Sequence, residues 1–514
     1  MRYAKSSPTF NGDMGMNDCM MNIELRPGRG LQQQIREKLV ELIQHDYFGT
    51  RPLPSSRKMA QRLKVSRNTV VLVYESMVDE GYLVARERSG FFVNPELDQE
   101  PTLKLVQSRP QLDQNRPNWQ KRLASAPASF STLNKDKNWI SYPYPFIYGQ
   151  IEPSHFPIYQ WRECSRIAQN RNCVHKWIED YVDVDDLELV TQIRQQILSK
   201  RGITASNEEI LITMGTQNSL FMLASLLAGD GVDVGVENPG YADFRHIFNQ
   251  CGSKPIPLAL DHHGLQLGQQ LSQCDYVCVT PSHQYPTTVT MPIERRKALL
   301  AQAAQDDFVL IEDDYESEVN FIEQPLPALK SIDQDGRVIY IGSLSKSLSP
   351  GLRIGYLVAN KSLVKELRAL RRLVYRHPPA NNQRTAALFI GQGYYDSHVR
   401  RMRHVYEQKW LLMQQGLQQH LPQCEVHATP GSFCFWIALP PHICSSELVI
   451  AAAKQGILVE SGDSLFAQER APKNYIRVGF SAISEDRISA GLTLLGSLVA
   501  QIANTTCTQA AHSY

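Results

Sequence analysis

At 514 residues the chain exceeds the roughly 250–300 residues at which single cores stop growing, so two or three domains are expected. With 42% hydrophobic and 20% charged residues and a net charge of +1, the composition excludes a whole-chain pull toward nucleic acid or membrane, and any charge signal must be local. No apolar run approaches the ~20 residues that span a bilayer, residues 1–22 carry no apolar stretch of the secretion-signal kind, and the ten cysteines lack CxxC or Cys/His metal spacing; a cytoplasmic protein with reduced thiols and no metal site is expected.

After an N-terminal extension (1–28), Ile35, Leu39, Leu42 and Ile43 fall at helical spacing and predict a first helix. Residues 51–67 (RPLPSSRKMAQRLKVSR) then hold six basic and no acidic residues. Pro54-Ser55-Ser56 predicts the start of a second helix, capped by a serine, with Met59, Ala60 and Leu63 on its buried face. The KVS turn leads to a third helix from about Ser66, where Val70, Val73, Tyr74 and Met77 are at core spacing. Arg67, Asn68 and Thr69 are then left at its N-terminal end, where a recognition helix meets base edges and phosphates. YLVARERSGFFV reads as two short strands joined through Arg86–Gly90. Helix, helix-turn-helix and hairpin make a winged helix.

The ordered motifs LPSSR, VSRNTV, a tyrosine, EGYL and a GFFV wing resemble the GntR-type winged helix-turn-helix, assigned to residues 29–97. The resemblance implies operator DNA as partner, with Arg57, Arg67, Asn68 and Thr69 as contacts and Gly90 at the wing tip. Both arginines have the chemistry for a phosphate or a bidentate guanine contact. Residues 98–135, with repeated prolines and no sustained period, read as a linker; the alternative is a segment packed on the next domain through Trp119 and Leu123.

From 136 to 505 the pattern alternates. The apolar runs EILITMG, VDVGVE, DYVCVT, FVLIED, VIYIG and IGYLVA are separated by helical stretches such as TQNSLFMLASLLA and IERRKALLAQAAQ, which predicts a mostly parallel α/β sheet. Ligands on such sheets gather at the carboxyl ends of strands, where three polar clusters are expected. Gly215-Thr216 opens a helix whose free N–H groups suit a phosphate. Asp313 and Tyr315 are two apart, so a continuing strand puts them on one face and Glu312 and Asp314 on the other. Lys346 follows VIYIG in SLSKSLSPGLR, with Ser343 before it and Arg353 after it.

An anion site, a carboxylate with a phenol, and an amine together are what pyridoxal 5'-phosphate requires, and in this order they resemble fold-type I aminotransferases. The resemblance implies a large mostly parallel α/β domain, a smaller C-terminal α+β subdomain from about residue 375 and a tail over 506–514. It makes Lys346 the Schiff-base lysine, with Asp313 at the ring nitrogen and Tyr315 at the ring hydroxyl. Gly215, Thr216, Ser343 and Arg353 would take the phosphate, and Tyr241 would lie against the ring. Arg477, in NYIRVGFS, matches the arginine that holds a substrate carboxylate, a task suited to its two-pronged fork. Arg245, close to Tyr241 in sequence, is a second candidate anion contact. Two departures stand out. The turn TPSHQYPTT (280–288) replaces an asparagine-bearing NPTG turn, leaving His283, Gln284 and Tyr285 as alternatives, and YVDVDDLELV (181–190) replaces a glycine-containing turn.

A winged helix ahead of such a domain, with FPIYQW, IEDDYESE and SLSKSLSPGLRIGY, resembles the MocR subfamily of GntR regulators. That implies a head-to-tail homodimer sensing a primary amine or amino acid by external aldimine formation at Lys346. Amino acids, taurine-like sulfonates and amino acids from osmolyte breakdown all fit. The alternative is a working aminotransferase with an attached DNA-binding module, for which lysine as base and arginine as clamp are equally present.

Overall fold

Ile35, Leu39 and Leu42 share one face of helix α1 (Leu31–Gln44), and that face is buried. The computed structural model describes residues 30–87, 89–99, 117–130, 136–180, 183–316, 320–321, 326–467 and 471–511, and the chain divides into two units between Arg122 and Leu123. The predicted N-terminal extension lies outside the described residues.

In the first unit, α2 (Ser56–Leu63) begins where the Ser55 hydroxyl accepts the Lys58 N–H, and stops at Lys64, whose φ of 54° is left-handed. Helix α3 (Arg67–Asp79) begins where Ser66 accepts the Thr69 N–H at 3.1 Å. Such caps contribute about 1 kcal/mol each and fix both starts locally. The buried Tyr74 hydroxyl donates to the Pro54 carbonyl at 2.9 Å, tying α3 to the segment that enters α2. Strands β1 (Leu83–Arg86) and β2 (Gly90–Val93) pair antiparallel with Arg86 opposite Gly90, whose φ is +103°. The predicted helices and hairpin thus all form. Ile43, expected on the buried stripe, is only half-buried.

Trp119, in the first unit, and Leu123, in the second, are 67% and 60% exposed. Further on, Gln250 donates to the Ser125 hydroxyl at 2.8 Å, and the Phe130 ring stacks on His246 with centroids 4.8 Å apart. The stretches 100–116 and 131–135 of the expected linker lie outside the described residues.

The second unit is built on eight strands. In chain order they are β3 (Ile210–Thr213), β4 (Asp233–Asn238), β5 (Lys254–Asp261), β6 (Gly264–Leu265), β7 (Tyr276–Val279), β8 (Val309–Asp313), β9 (Val338–Ser343) and β10 (Gly355–Val358). In space they run β3-β10-β9-β8-β7-β4-β5-β6. Strands β9, β8, β7, β4 and β5 are parallel, while β10 is antiparallel to both of its neighbours. The amino end of β10 therefore lies at the same edge as the carboxyl ends of β3, β8 and β9. Neighbouring residues Leu310 and Ile311 feed opposite faces: Ile311 packs with Leu220 and Leu223 of α4 (Thr216–Leu227), and Leu310 with Leu299 and Ala303 of α6 (Ile293–Asp306). Between them in sequence lies α5 (Ala242–Gln250).

Strand β5 was not among the apolar runs, because Pro255 and Pro257 interrupt it. Its inner side pairs with β4 over residues 254–259, and β6 covers its outer side only at Leu260 and Asp261. Two prolines of the same parity thus aim their missing donors at an unpaired edge, where they cost no ladder bond. Helices α7 (Lys361–Val374), α8 (Ala380–Gly391) and α9 (Tyr394–His420) lead to an antiparallel sheet of β11 (Glu425–His427), β12 (Cys434–Ala438), β13 (Glu460–Ser461) and β14 (Tyr475–Gly479), ordered β11-β12-β14-β13. The last helix, α10 (Glu485–Ala511), continues past the boundary expected at 505.

The unusual DVDD stretch has a structural use. Asp186 caps the helix Leu187–Gln192 and pairs with Arg384 at 2.7 Å. Asp185 pairs with Arg368 at 2.7 Å and with the fully buried Arg371, which also donates to the Ile212 carbonyl of β3. Removing Asp185 strands a buried guanidinium, so Asp185→Ala is expected to cost about 3–5 kcal/mol, read as a lower urea midpoint for the second unit.

Candidate functional site

A cavity of about 220 Å³ opens at the edge shared by the carboxyl ends of β3, β8 and β9 and the amino end of β10. Its lining includes Thr216, Tyr241, Asp313, Tyr315, Ser343, Lys346 and Arg353.

The acidic run at the end of β8 alternates as its spacing predicts. Glu312 turns inward and accepts the N–H groups of Leu329 and Lys330 at 2.7 and 2.8 Å. Asp314 accepts from Arg201 Nε and the Tyr340 hydroxyl, both at 2.8 Å. Asp313 and Tyr315 face the cavity, although the strand itself ends at Asp313. Burial, reinforced by Asp314, pushes the Asp313 carboxyl up to about 8; a contact of 3.4 Å from the Thr216 hydroxyl only partly offsets this. The Tyr315 hydroxyl donates to the His283 carbonyl at 2.8 Å.

Gly215 stands at the N-terminus of α4 with φ +95°, and a Cβ there would lie 3.2 Å from Arg353 Nη2. A Cβ on Gly355 would in turn lie 2.5 Å from the Gly215 Cα, so β10 can begin this close to α4 only with glycine at 355, while the left-handed φ of Gly215 is what favours glycine there. Arg353 itself has φ +52°. Free helix N–H groups and a guanidinium therefore converge where an anion would bind. The Ser343 hydroxyl bonds Ser345 Oγ at 2.9 Å, shaping the turn that carries Lys346.

Tyr148, Tyr241, Tyr285 and Tyr315 form an aromatic wall, with centroids 5.3 Å apart for Tyr241–Tyr285 and 6.1 Å for Tyr285–Tyr315. Lys346 Nζ lies 4.2 Å from the Tyr148 ring centroid. Of the three alternatives in the TPSHQYPTT turn, only Tyr285 lines the cavity. Gln284 is spent on Glu237 and main-chain carbonyls, and His283 is buried 3.7 Å from Glu316.

The two candidate anion-binding arginines are placed differently from their expected positions. Arg245 does not reach the cavity, because its guanidinium donates to the carbonyls of Ser464, Leu465 and Phe466. Arg477 is fully buried behind Tyr148 and Tyr285 and ion-paired to Glu460. Gln217, next to Gly215 and Thr216 at the same helix start, also lines the cavity, whereas Tyr148, Gln150 and Glu460 were missed. The only signal for the first pair was an aromatic and glycine cluster, FIYGQ; Glu460 becomes visible only through strand pairing.

In the first unit, Arg57, Arg67 and Asn68 are exposed, and Lys58, Arg62 and Lys64 extend the same basic stretch. Arg67 Nε approaches Ser56 Oγ at 3.4 Å. Thr69 differs from the free position expected of it: it is half-buried and its hydroxyl bonds Ser66 at 2.7 Å.

The description "bacterial regulatory proteins, gntR family" matches residues 31–93, and "aminotransferase class I and II" matches 169–494. The chain is 39% identical to the HTH-type transcriptional regulator TauR of Rhodobacter capsulatus, over 90% of this chain and 96% of that protein. It is 29% identical to the probable rhizopine catabolism regulatory protein MocR of Rhizobium meliloti, over 76% and 78%. Among solved structures it is similar to kynurenine aminotransferase of Pyrococcus horikoshii in complex with PMP, with TM-score 0.68 and 25% identity over 75% of this chain and 98% of that one. No helix among the described residues is long and apolar enough to cross a membrane. A gntR-type winged helix joined to an aminotransferase-like domain, with similarity to such regulators along nearly its whole length, places the chain in the MocR subfamily of DNA-binding transcription regulators.

Proposed function

We propose that this regulator holds pyridoxal 5'-phosphate in the cavity and changes its hold on operator DNA when a primary amine or amino acid enters. The observation that carries the reading is Asp313. Among the described residues no arginine or lysine forms an ion pair with this buried carboxyl, although Lys346 favours its ionised form from across the cavity. A protonated pyridine nitrogen is the partner such a carboxyl lacks, so the residues present fit the cofactor. Bound pyridoxal phosphate supplies an aldehyde that condenses reversibly with primary amines.

Each residue has a task in this reading. Lys346 is the covalent anchor, and Tyr315 faces the ring hydroxyl. Gly215, Thr216, Ser343 and Arg353 cradle the phosphate, and Tyr241 lies against the ring. Arg57, Arg67 and Asn68 contact the operator, Thr69 orders the first turn of α3 and adds a weaker contact, and Gly90 lets the wing turn. Exposed apolar side chains of the second unit, including Tyr159, Ile178, Leu187 and Leu373, support a homodimer. Sustained turnover with a 2-oxo acid acceptor would instead favour the aminotransferase reading.

Borohydride reduction of the cofactor-loaded protein, followed by peptide mapping, is expected to place the pyridoxyl group on Lys346, and Lys346→Ala should lose the lysine-linked absorbance while staying folded. A label on another lysine refutes the anchor. Arg67→Ala should weaken operator binding about 5- to 100-fold in a gel shift and leave cofactor absorbance unchanged; unaltered affinity would remove Arg67 from the interface. Asp313 gives a pH signature. Its folded pKa of about 8 lies above the unfolded value near ~3.9, so the stability it contributes is full below about pH 4 and is lost as pH rises through about 8. Cofactor-free Asp313→Asn should therefore melt above the parent at pH 8, with the gap closing toward pH 4. The same substitution should weaken cofactor binding about 10- to 100-fold in a spectral titration.

A further inference from the structure

Arg477 is expected to hold an acid group of the ligand, yet its charge is already met from inside the protein. Glu460 sits directly opposite it in the β13–β14 register, and Glu460 Oε2 accepts from Arg477 Nε at 2.9 Å and pairs with Nη2 at 2.8 Å. The Tyr148 N–H lies 3.4 Å from the same oxygen. Arg477 and Glu460 are 1% and 4% exposed. The guanidinium carbon is 4.5 Å from the Tyr148 centroid and 4.4 Å from that of Tyr285. Both rings line the cavity and Arg477 does not, so the wall facing Lys346 is aromatic rather than cationic. One edge of the fork is thus occupied, while Nη1 is buried without a hydrogen-bond partner.

A carboxylate next to the reacting amine would have to reach this arginine past the rings and share it with Glu460. Two anions on one buried cation repel, and neither retains a full partner. Discrimination by an unfavourable internal charge is a recognised route to specificity.

We infer that Glu460 is the specificity-determining residue of the effector site: by holding Arg477 as a neutral pair behind the tyrosines, it disfavours α-amino carboxylates and selects primary amines without an α-carboxylate. This rests on the proposed cofactor site for its amine chemistry, but not for its electrostatics. Two matched amines test it, ethylamine and L-alanine, which adds only a carboxylate at the amine-bearing carbon. Spectral titration of cofactor-loaded Glu460→Gln should show L-alanine binding at least about tenfold tighter than in the parent, with ethylamine within about twofold. In the parent background, Arg477→Lys should move L-alanine affinity by less than about twofold.

Unchanged or weaker L-alanine binding in a Glu460→Gln protein that keeps its chromophore overturns the inference. So does a tenfold loss in Arg477→Lys, which would show that Arg477 clamps the carboxylate with Glu460 in place; this arm decides the matter if the Glu460 variant does not fold. A cofactor-independent readout is the melting temperature with propionate: Glu460→Gln should be stabilised and the parent should not, and the reverse pattern also counts against the role of Glu460. Absence of a chromophore before any amine is added fails the cofactor reading alone, and the propionate measurement still decides the role of Glu460.

Discussion

Four carboxyl groups, on Glu312, Asp313, Asp314 and Glu316, are buried within a few residues at the end of β8, and the site is arranged around the cost of keeping them there. Glu312 is met by two backbone N–H groups and Asp314 by Arg201 and Tyr340. Glu316, pushed up to about 7 mainly by burial, is eased by the Tyr148 hydroxyl and by the charges of Lys346 and Arg477. Asp313 alone is left facing the cavity with no cation paired to it. The structural carboxyls fix the strand end, and that rigidity aims the remaining one.

Where structure is set locally, it could be read from the residues. The winged helix follows from serine caps, a left-handed stop and a core stripe, all contained within about fifty residues. The strand ends of the second unit were legible for a similar reason, since apolar runs stop where polar clusters begin. Strand β5 was hidden because its prolines are tolerated only at an edge, and edge position is a property of the assembled sheet. Arg245 was misjudged because nearness to Tyr241 in sequence becomes one helical turn in space, which carries its guanidinium to the carbonyls at 464–466. Glu460 and Tyr148 come to Arg477 from 17 and more than 300 residues away, and no local spacing reports such a meeting.

Helix α5 connects features that are otherwise far apart in sequence. Its N-cap, Tyr241, is part of the cavity wall, and one turn later Arg245 holds the carbonyls of Ser464, Leu465 and Phe466. On the same nine-residue helix His246 stacks on Phe130 and Gln250 bonds Ser125, securing the first residues of the second unit. A single short rigid element thus touches the cavity, a loop beside β13 and the chain arriving from the DNA-binding unit.

The division between Arg122 and Leu123 also bears on how the energetics of this chain must be read. The winged-helix core, built on residues such as Leu39, Val70 and Met77, is a hydrophobic cluster of the first unit, and the cores around the large sheet belong to the second. Two-state bookkeeping therefore does not extend to the whole polypeptide, and a single melting midpoint would average two unlike transitions. A small molecule lodged near Lys346 raises the free energy of unfolding of the unit that holds it, by an amount set by its concentration relative to its dissociation constant. Calorimetry of the intact chain would then register ligand as a widening interval between two heat-absorption peaks, with the winged-helix peak as an internal thermometer.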